Sequence, residues 1–362
     1  MKVIRYLVFT TLVLVGLIYA LSKLQIVQDF LLKRAVLNQV SSFQEFPDDA
    51  LSALVCGSGS PIPAENIAET CILIKAGENY YIIDSGGGSV ENLFTWQIDF
   101  SKIKAVFLTH LHSDHISDLP NLHLNTWIAQ QRQGRLQVYG PRGVKRVTEG
   151  FEKAYELDYI YRHIHHGNNI APLDNVGFDA NTIDVLNEVF YQVDDLKVTA
   201  FEVEHDPVTP ALGFRFEYGD RSIVISGDTK YSQKMIDAAR NADVLFHEAQ
   251  ANHLLSVLED GLISAKRVLT AKIMEDILSY HTTPVEAAMI ANQANVDHLV
   301  FYHLVPYPRN NLMAEIFVRG VDDIRENWTL SKDGTLVVLP LNSDSIETVS
   351  YTHLTLPTMY TV

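Results

Sequence analysis

A chain of 362 residues, 47% hydrophobic and 20% charged, is long enough for one large domain or two small ones and is not a disordered polymer. Its 44 acidic residues against 28 basic ones, a net charge of −16, repel a phosphate backbone on average and disfavour a nucleic-acid partner. Two cysteines, Cys56 and Cys71, exclude a cysteine-rich zinc site.

Lys2 and Arg5 precede 17 uncharged residues, Tyr6 to Ser22, ended by Lys23. As a helix this run measures about 26 Å, at the short end of what spans a bilayer. Residues 1–23 read as a signal-anchor, with a signal peptide cleaved near Ala20-Leu21-Ser22 as the competing account. Both export the rest of the chain to a periplasmic or other extracytoplasmic space, anchored in the first case and secreted in the second. Residues 24–50 continue as a juxtamembrane helix and a linker.

The folded domain is expected over 51–345. It opens with strands at LSALVC, TCILIKAG and NYYIIDSGGG. Cys56 and Cys71 flank the first turn. A disulfide and two buried free thiols compete there, and the free thiols are preferred. Gly86, Gly87 and Gly88 lack the Lys-Ser/Thr of a phosphate loop and read as turn chemistry. An apolar run, Ile103 to Leu108, is the next strand. Helical spacing follows over 117–133 and 144–161. The basic residues between Arg132 and Arg146 read as a solvated loop and helix start. YRHIHHG, with His165 and His166, reads as a polar loop.

Strands resume at VFYQV, LKVTAFEVEH, ALGFRFEYG and RSIVISGDT. A helix over 233–240 leads into the strand DVLFHEA. Helices over 262–278 and at PVEAAMIANQANV precede the strand HLVFYHL. A helix at 311–317 and the strand TLVVLPL complete the pattern. Strands with crossing helices, repeated about twice, argue a layered α/β domain. Residues 349–362 have no apolar period and resemble a translated cloning tail, in which His353 carries no function.

The densest chemistry is FLTHLHSDH, residues 107–115. His110 and His112 fall on one side of an extended backbone, because side chains alternate with period two. Asp114 and His115 follow in a loop that turns them toward a second point. Imidazole nitrogens with carboxylate oxygens suit zinc, and also manganese or iron.

This HxHxDH pattern resembles the metallo-β-lactamase superfamily. The superfamily's later signatures occur in order: His205 ending a strand, Asp228 in GDT, and His303 ending a strand. The resemblance implies an αββα four-layer sandwich holding two zinc ions. By position, His110, His112 and His205 would bind the first metal. Asp114, His115 and His303 would bind the second, and Asp228 would bridge them. DVLFHEA and YHTTPVEAA are similar to motifs of the ribonuclease Z-like branch. They imply that Glu248 orients His281 and that His281 protonates the leaving group. Asp114 would double as general base. His247 reads as structural, and His123, His163, His253 and His298 receive no role.

Ribonuclease Z proper carries a basic arm between the third histidine and the GDT motif. Only 22 residues separate His205 from Asp228 here. Short spacing, negative charge and an exporting N-terminus argue against that enzyme, and PVTPALGFRFEY and YRHIHHG resemble the exported branch of the group, which implies an exported binuclear-zinc hydrolase of small sulfate or phosphate esters, arylsulfatase-like, with hydroxide on the metals as nucleophile. The first alternative is a ribonuclease Z-type phosphodiesterase for tRNA 3′ processing. The second, opposed by the intact ligand set, is a non-catalytic membrane-tethered metal-binding protein. The expected partners are a small-molecule ester and a membrane through the N-terminal helix, with nucleic acid disfavoured. A homodimer is left open.

Overall fold

The computed structural model describes residues 2–40, 46–128 and 134–350. The tail expected at 349–362 lies outside these from residue 351, as do Arg132 and the linker residues 41–45. The chain divides into two compact units, residues 1–45 and 46–362. The first holds α1 (Lys2–Ser22) and α2 (Gln25–Val40). None of the α1 side chains is buried, and it is long and apolar enough to cross a membrane.

The second unit runs β1 (Ala50–Gly57), β2 (Cys71–Ala76), β3 (Asn79–Ile83), α3 (Ser89–Thr95), β4 (Ile103–Phe107), α4 (Ser113–Ile116), α5 (Leu119–Ile128), β5 (Leu136–Gly140), α6 (Val144–His166) and β6 (Phe178–Thr182). It continues with β7 (Val189–Val193), β8 (Leu196–His205), β9 (Val208–Tyr218), β10 (Arg221–Ile225), α7 (Gln233–Ala239), β11 (Val244–Gln250), α8 (Asn252–Ser264) and α9 (Val268–Asp276). The last elements are α10 (Pro284–Gln293), β12 (His298–Val305), α11 (Asn311–Phe317), β13 (Trp328–Leu330), β14 (Thr335–Pro340) and β15 (Glu347–Ser350).

Eight strands form one sheet in the order β15-β14-β1-β2-β3-β4-β5-β6, and seven form the other in the order β13-β12-β11-β10-β9-β8-β7. Alternate side chains of each strand face inward, so Val55, Ile74, Phe107, Phe214, Ile225 and Phe246 meet in one apolar layer between the sheets. The outer face of the first sheet is covered by helices through Leu93, Leu119, Leu122 and Val144, and that of the second through Met235, Ala287, Ile290 and Phe317. The result is the expected αββα sandwich.

Strands β3 to β6 run parallel, as do β10 to β12. Their carboxyl ends therefore gather along one edge of the sandwich, where loops are free to carry chemistry. A hydrogen bond from Leu212 N to Thr109 O (2.9 Å) ties the sheets together at that edge.

Several expectations are corrected. Cys56 and Cys71 form a disulfide rather than two free thiols. They lie on neighbouring antiparallel strands with Cα atoms 4.9 Å apart, within bridging reach. The helix expected at 144–161 runs on to His166, where Gly167 adopts a left-handed φ of 71° and ends it. His165 and His166 therefore sit on a helix, not in a polar loop. The helix expected at 262–278 is two helices, α8 and α9, broken at Lys266 with φ 59°. Asp114 and His115 occupy the short helical turn α4 rather than a loop.

Candidate metal centre

His110 lies three residues beyond β4, and the α4 turn directs Asp114 and His115 inward, both buried. His205 ends β8, Asp228 follows β10, and His303 lies within β12. β12 bulges at His303: Tyr302 pairs with Glu248 and Leu304 with Ala249, leaving His303 unpaired. Its φ of 46° is left-handed. That conformation costs a non-glycine residue on the order of 1–3 kcal/mol, and here it turns the imidazole into the site.

The sequence-expected ligands converge. Single ligand atoms from His110, His112, His205 and Asp228 all lie within 4.8 Å of one another, as do those of Asp114, His115 and His303. Asp228 Oδ2 stands 3.8 Å from both His110 Nε2 and His205 Nε2, and 3.5 Å from both His115 Nε2 and His303 Nε2. It is thus placed between the two clusters. Asp114 Oδ2 is 3.2 Å from His303 Nε2 and 3.5 Å from His115 Nε2. His115 Nε2, His205 Nε2 and Asp228 Oδ1 are buried with no hydrogen-bond partner. Burying such atoms unpaired is costly, and a cation between them removes the cost. The donor set of neutral imidazoles and carboxylates fits zinc, manganese or iron.

For three of the imidazoles the electrostatics agree with that fit. Burial holds His110, His112 and His205 below the usual imidazole range, so they are neutral, the form that ligates. For His115, burial acts in the same direction, but Asp228, Asp114 and Asp84 outweigh it and raise its pKa. Burial would raise the Asp228 carboxyl, yet His303 and His115 hold it well below its usual value.

His281 stands beside the centre, its ring 5.2 Å from that of His205 and 5.7 Å from that of His303. Its Nδ1 bonds Glu248 Oε1 at 3.1 Å. The same buried oxygen accepts from Thr282 N (3.0 Å) and Thr229 N (3.3 Å). Burial opposes a charged His281, but Glu248, with Asp228 and Asp114 behind it, brings its pKa up to about 9. Thr283 and Glu286 form a capping box at the start of α10, which fixes the backbone two residues after His281. His247 is buried in β11 and donates through Nδ1 to Glu248 O at 2.8 Å, a structural role as expected.

Two participants escaped the sequence reading. Asp84, at the end of β3, is fully buried and accepts from His115 Nδ1, Thr109 N and Thr109 Oγ1, each at 2.8 Å. Tyr302 accepts at its hydroxyl from Gly227 N (3.1 Å), steadying the turn before Asp228. Asp84 carried a faint signal, since a carboxylate precedes the glycine run at a strand end. Tyr302 carried none.

Residues 66–271 match the profile of the metallo-beta-lactamase superfamily. The chain is 31% identical over 258 residues to ribonuclease Z of Mycolicibacterium gilvum, covering 71% of this chain and 85% of that protein. It is 30% identical over 260 residues to ribonuclease Z of Mycobacterium bovis, covering 71% and 86%. In fold it is similar to human short-form tRNase Z, with TM-score 0.57 at 19% identity over 80% of this chain and all of that one. It is also similar to the Bacillus subtilis metallo-beta-lactamase fold protein YhfI, with TM-score 0.58 at 18% identity over 80% of this chain and all of that one.

These relatives overturn the expectation of a small sulfate- or phosphate-ester hydrolase and conflict with the expectation that disfavoured nucleic acid. The arguments for both rested on whole-chain charge and on the missing arm. Net charge averages over the entire surface and does not report the field at one edge of a sandwich.

Proposed function

The chain belongs to the metallo-β-lactamase superfamily, and from that premise we propose that it is a ribonuclease Z-type phosphodiesterase that hydrolyses RNA. It is a metal-dependent hydrolase acting on ester bonds. The observation that carries the phosphodiester reading is the dyad of His281 and buried Glu248 beside the ligand clusters, in a chain whose relatives are ribonucleases.

His110, His112 and His205 would hold one zinc, Asp114, His115 and His303 a second, with Asp228 shared. Metal held by these residues would supply an activated water, its pKa lowered from 15.7 toward roughly 7, and positive charge beside the phosphoryl oxygens. Asp114 accepts the proton of the attacking water as general base. His281, whose Nδ1–H is engaged by Glu248, presents Nε2 to the leaving oxygen and protonates it. Glu248 stabilises the imidazolium of His281, the form in which Nε2 carries a proton to donate while Nδ1–H stays on the carboxylate.

The N-terminal helix is proposed as a membrane anchor. The Cys56–Cys71 bridge supports a catalytic domain on the oxidising side, since such bonds persist in oxidising compartments.

The test is a hydrolysis panel on zinc-loaded full-length protein: an RNA with a 3′ extension, an aryl phosphodiester and an aryl sulfate, with Asp228→Ala as blank. RNA and diester cleavage, absent from the blank, is expected. Sulfate hydrolysis with both phosphodiesters untouched would overturn the reading.

A further inference from the structure

The stretch between α9 and α10 runs past the candidate centre at Tyr280, and its main chain is pinned at several points. Gln250 Nε2 donates to Ile277 O at 3.0 Å, and Gln250 N donates to Thr282 O at 2.8 Å. Tyr280 O accepts from His205 Nδ1 at 3.1 Å, and Thr282 N donates to Glu248 Oε1 at 3.0 Å. Gln250, His205 and Glu248 are all buried. A side chain carried on so fixed a backbone gives up little further freedom when it meets a ligand.

The Tyr280 side chain is not used up in the core: it is partly exposed. Within the centre His110, Asp114, His115, Asp228 and His303 are buried, whereas His112 is exposed. The ring of His112 stands 5.3 Å from the buried ring of His205, that of Tyr280 also 5.3 Å from it, and that of His281 5.2 Å. These three rings border the accessible side of the centre. His112 belongs to a ligand cluster and His281 faces the leaving oxygen, so Tyr280 is the one of the three without a task. Its ring lies 4.9 Å from that of His281.

The chemistry of the substrate says what Tyr280 meets. A phosphodiester held at the clusters turns its leaving oxygen toward His281. On an RNA that oxygen belongs to a nucleotide whose base is joined to the same ribose, and the ring next to His281 is the surface that base reaches. Stacking of a base on an aromatic side chain tolerates any sequence, because every base has a π-face. It also needs no cation, which suits a chain of net charge −16. Bases splayed out of a helix are recognised in this way on RNA.

We propose that Tyr280 is a specificity-determining residue that stacks on the base of the nucleotide bearing the leaving oxygen. The inference rests on the phosphodiesterase reading above and adds to it that an unstacked base at the cut is part of what is recognised.

A double-mutant cycle between protein and substrate tests it. Zinc-loaded full-length protein is given an RNA with a 3′ extension, either whole or abasic at the nucleotide that bears the leaving oxygen. Y280A should lower kcat/KM on whole RNA by roughly 5- to 150-fold, the worth of one stacked base. The abasic lesion should cost the native protein as much, and on abasic RNA Y280A should cost no more than about twofold. Y280F and Y280W should stay near native, whereas Y280L, apolar but without a π-face, should behave as Y280A does. Metal content and circular dichroism should be unchanged in all four, since residue 280 holds His205 through its main chain. RNA cut equally well by native and Y280A protein overturns the inference alone. So does a Y280A loss undiminished on abasic RNA, recovery in Y280L, or a Y280F loss equal to that of Y280A. RNA left whole by the native protein overturns the phosphodiesterase reading and the inference with it.

Discussion

His115 donates through Nδ1 to the buried carboxylate of Asp84 at 2.8 Å, which leaves Nε2 as the nitrogen turned toward Asp228 and Asp114. Asp84 is itself held by Thr109 N and Oγ1, and its backbone φ of 58° is left-handed. An outer carboxylate of this kind sets the ligand's tautomer and basicity. Asp84→Ala is expected to weaken metal binding roughly 10- to 100-fold. Asp84→Asn, which keeps an acceptor without the charge, should weaken it less. Competition with a chelator measures both.

Removing the proposed proton donor should separate chemistry from metal binding. His281→Ala is expected to lower turnover by roughly 10²- to 10⁴-fold with metal content unchanged. Glu248→Gln should fall between it and the native enzyme. Steady-state kinetics beside elemental analysis distinguish this from loss of a ligand, which removes metal and activity together.

The glycine run after Asp84 has a steric reason at Gly86. A Cβ there would stand 2.1 Å from Asp114 O and 2.7 Å from Glu69 Cβ. Gly86→Ala must push the α4 turn aside, at a cost of about 1–3 kcal/mol. Thermal melts should show a lower midpoint, and metal titration a weakened second cluster, since Asp114 and His115 both ride on that turn.

The Cys56–Cys71 bridge closes a span of 15 residues. In the chain-entropy account a loop of that length is worth about 3 kcal/mol. Urea unfolding of the Cys56→Ala/Cys71→Ala double variant should fall short of the native protein by about 2–3 kcal/mol, and a reducing agent should affect only the native protein.

The candidate cluster was legible because His110, His112, Asp114 and His115 crowd into six residues, a density with no structural explanation, and because His205, Asp228 and His303 each sit at or near the carboxyl end of a readable strand. The layered fold was legible from alternation. What stayed hidden depends on contacts between distant segments. Asp84 looks like any strand-end aspartate until β3 and β4 pair and bring His115 to it. Spacing alone could not decide the state of Cys56 and Cys71, whose bond depends on the register of β1 and β2. The break between α8 and α9 comes from a single left-handed residue, Lys266, in a sequence with no proline or glycine there. Substrate class was misjudged because charge was summed over the chain when only the local field matters.

The ligands are also divided between the layers. His110, His112, Asp114 and His115 follow a strand of the first sheet, whereas His205, Asp228 and His303 belong to the second. Neither sheet alone carries every member of either candidate cluster. Completeness of the candidate centre is thus a record of assembly: a chain whose two halves had each formed but not yet docked would present only part of each cluster, and would stay inert until its folding was complete.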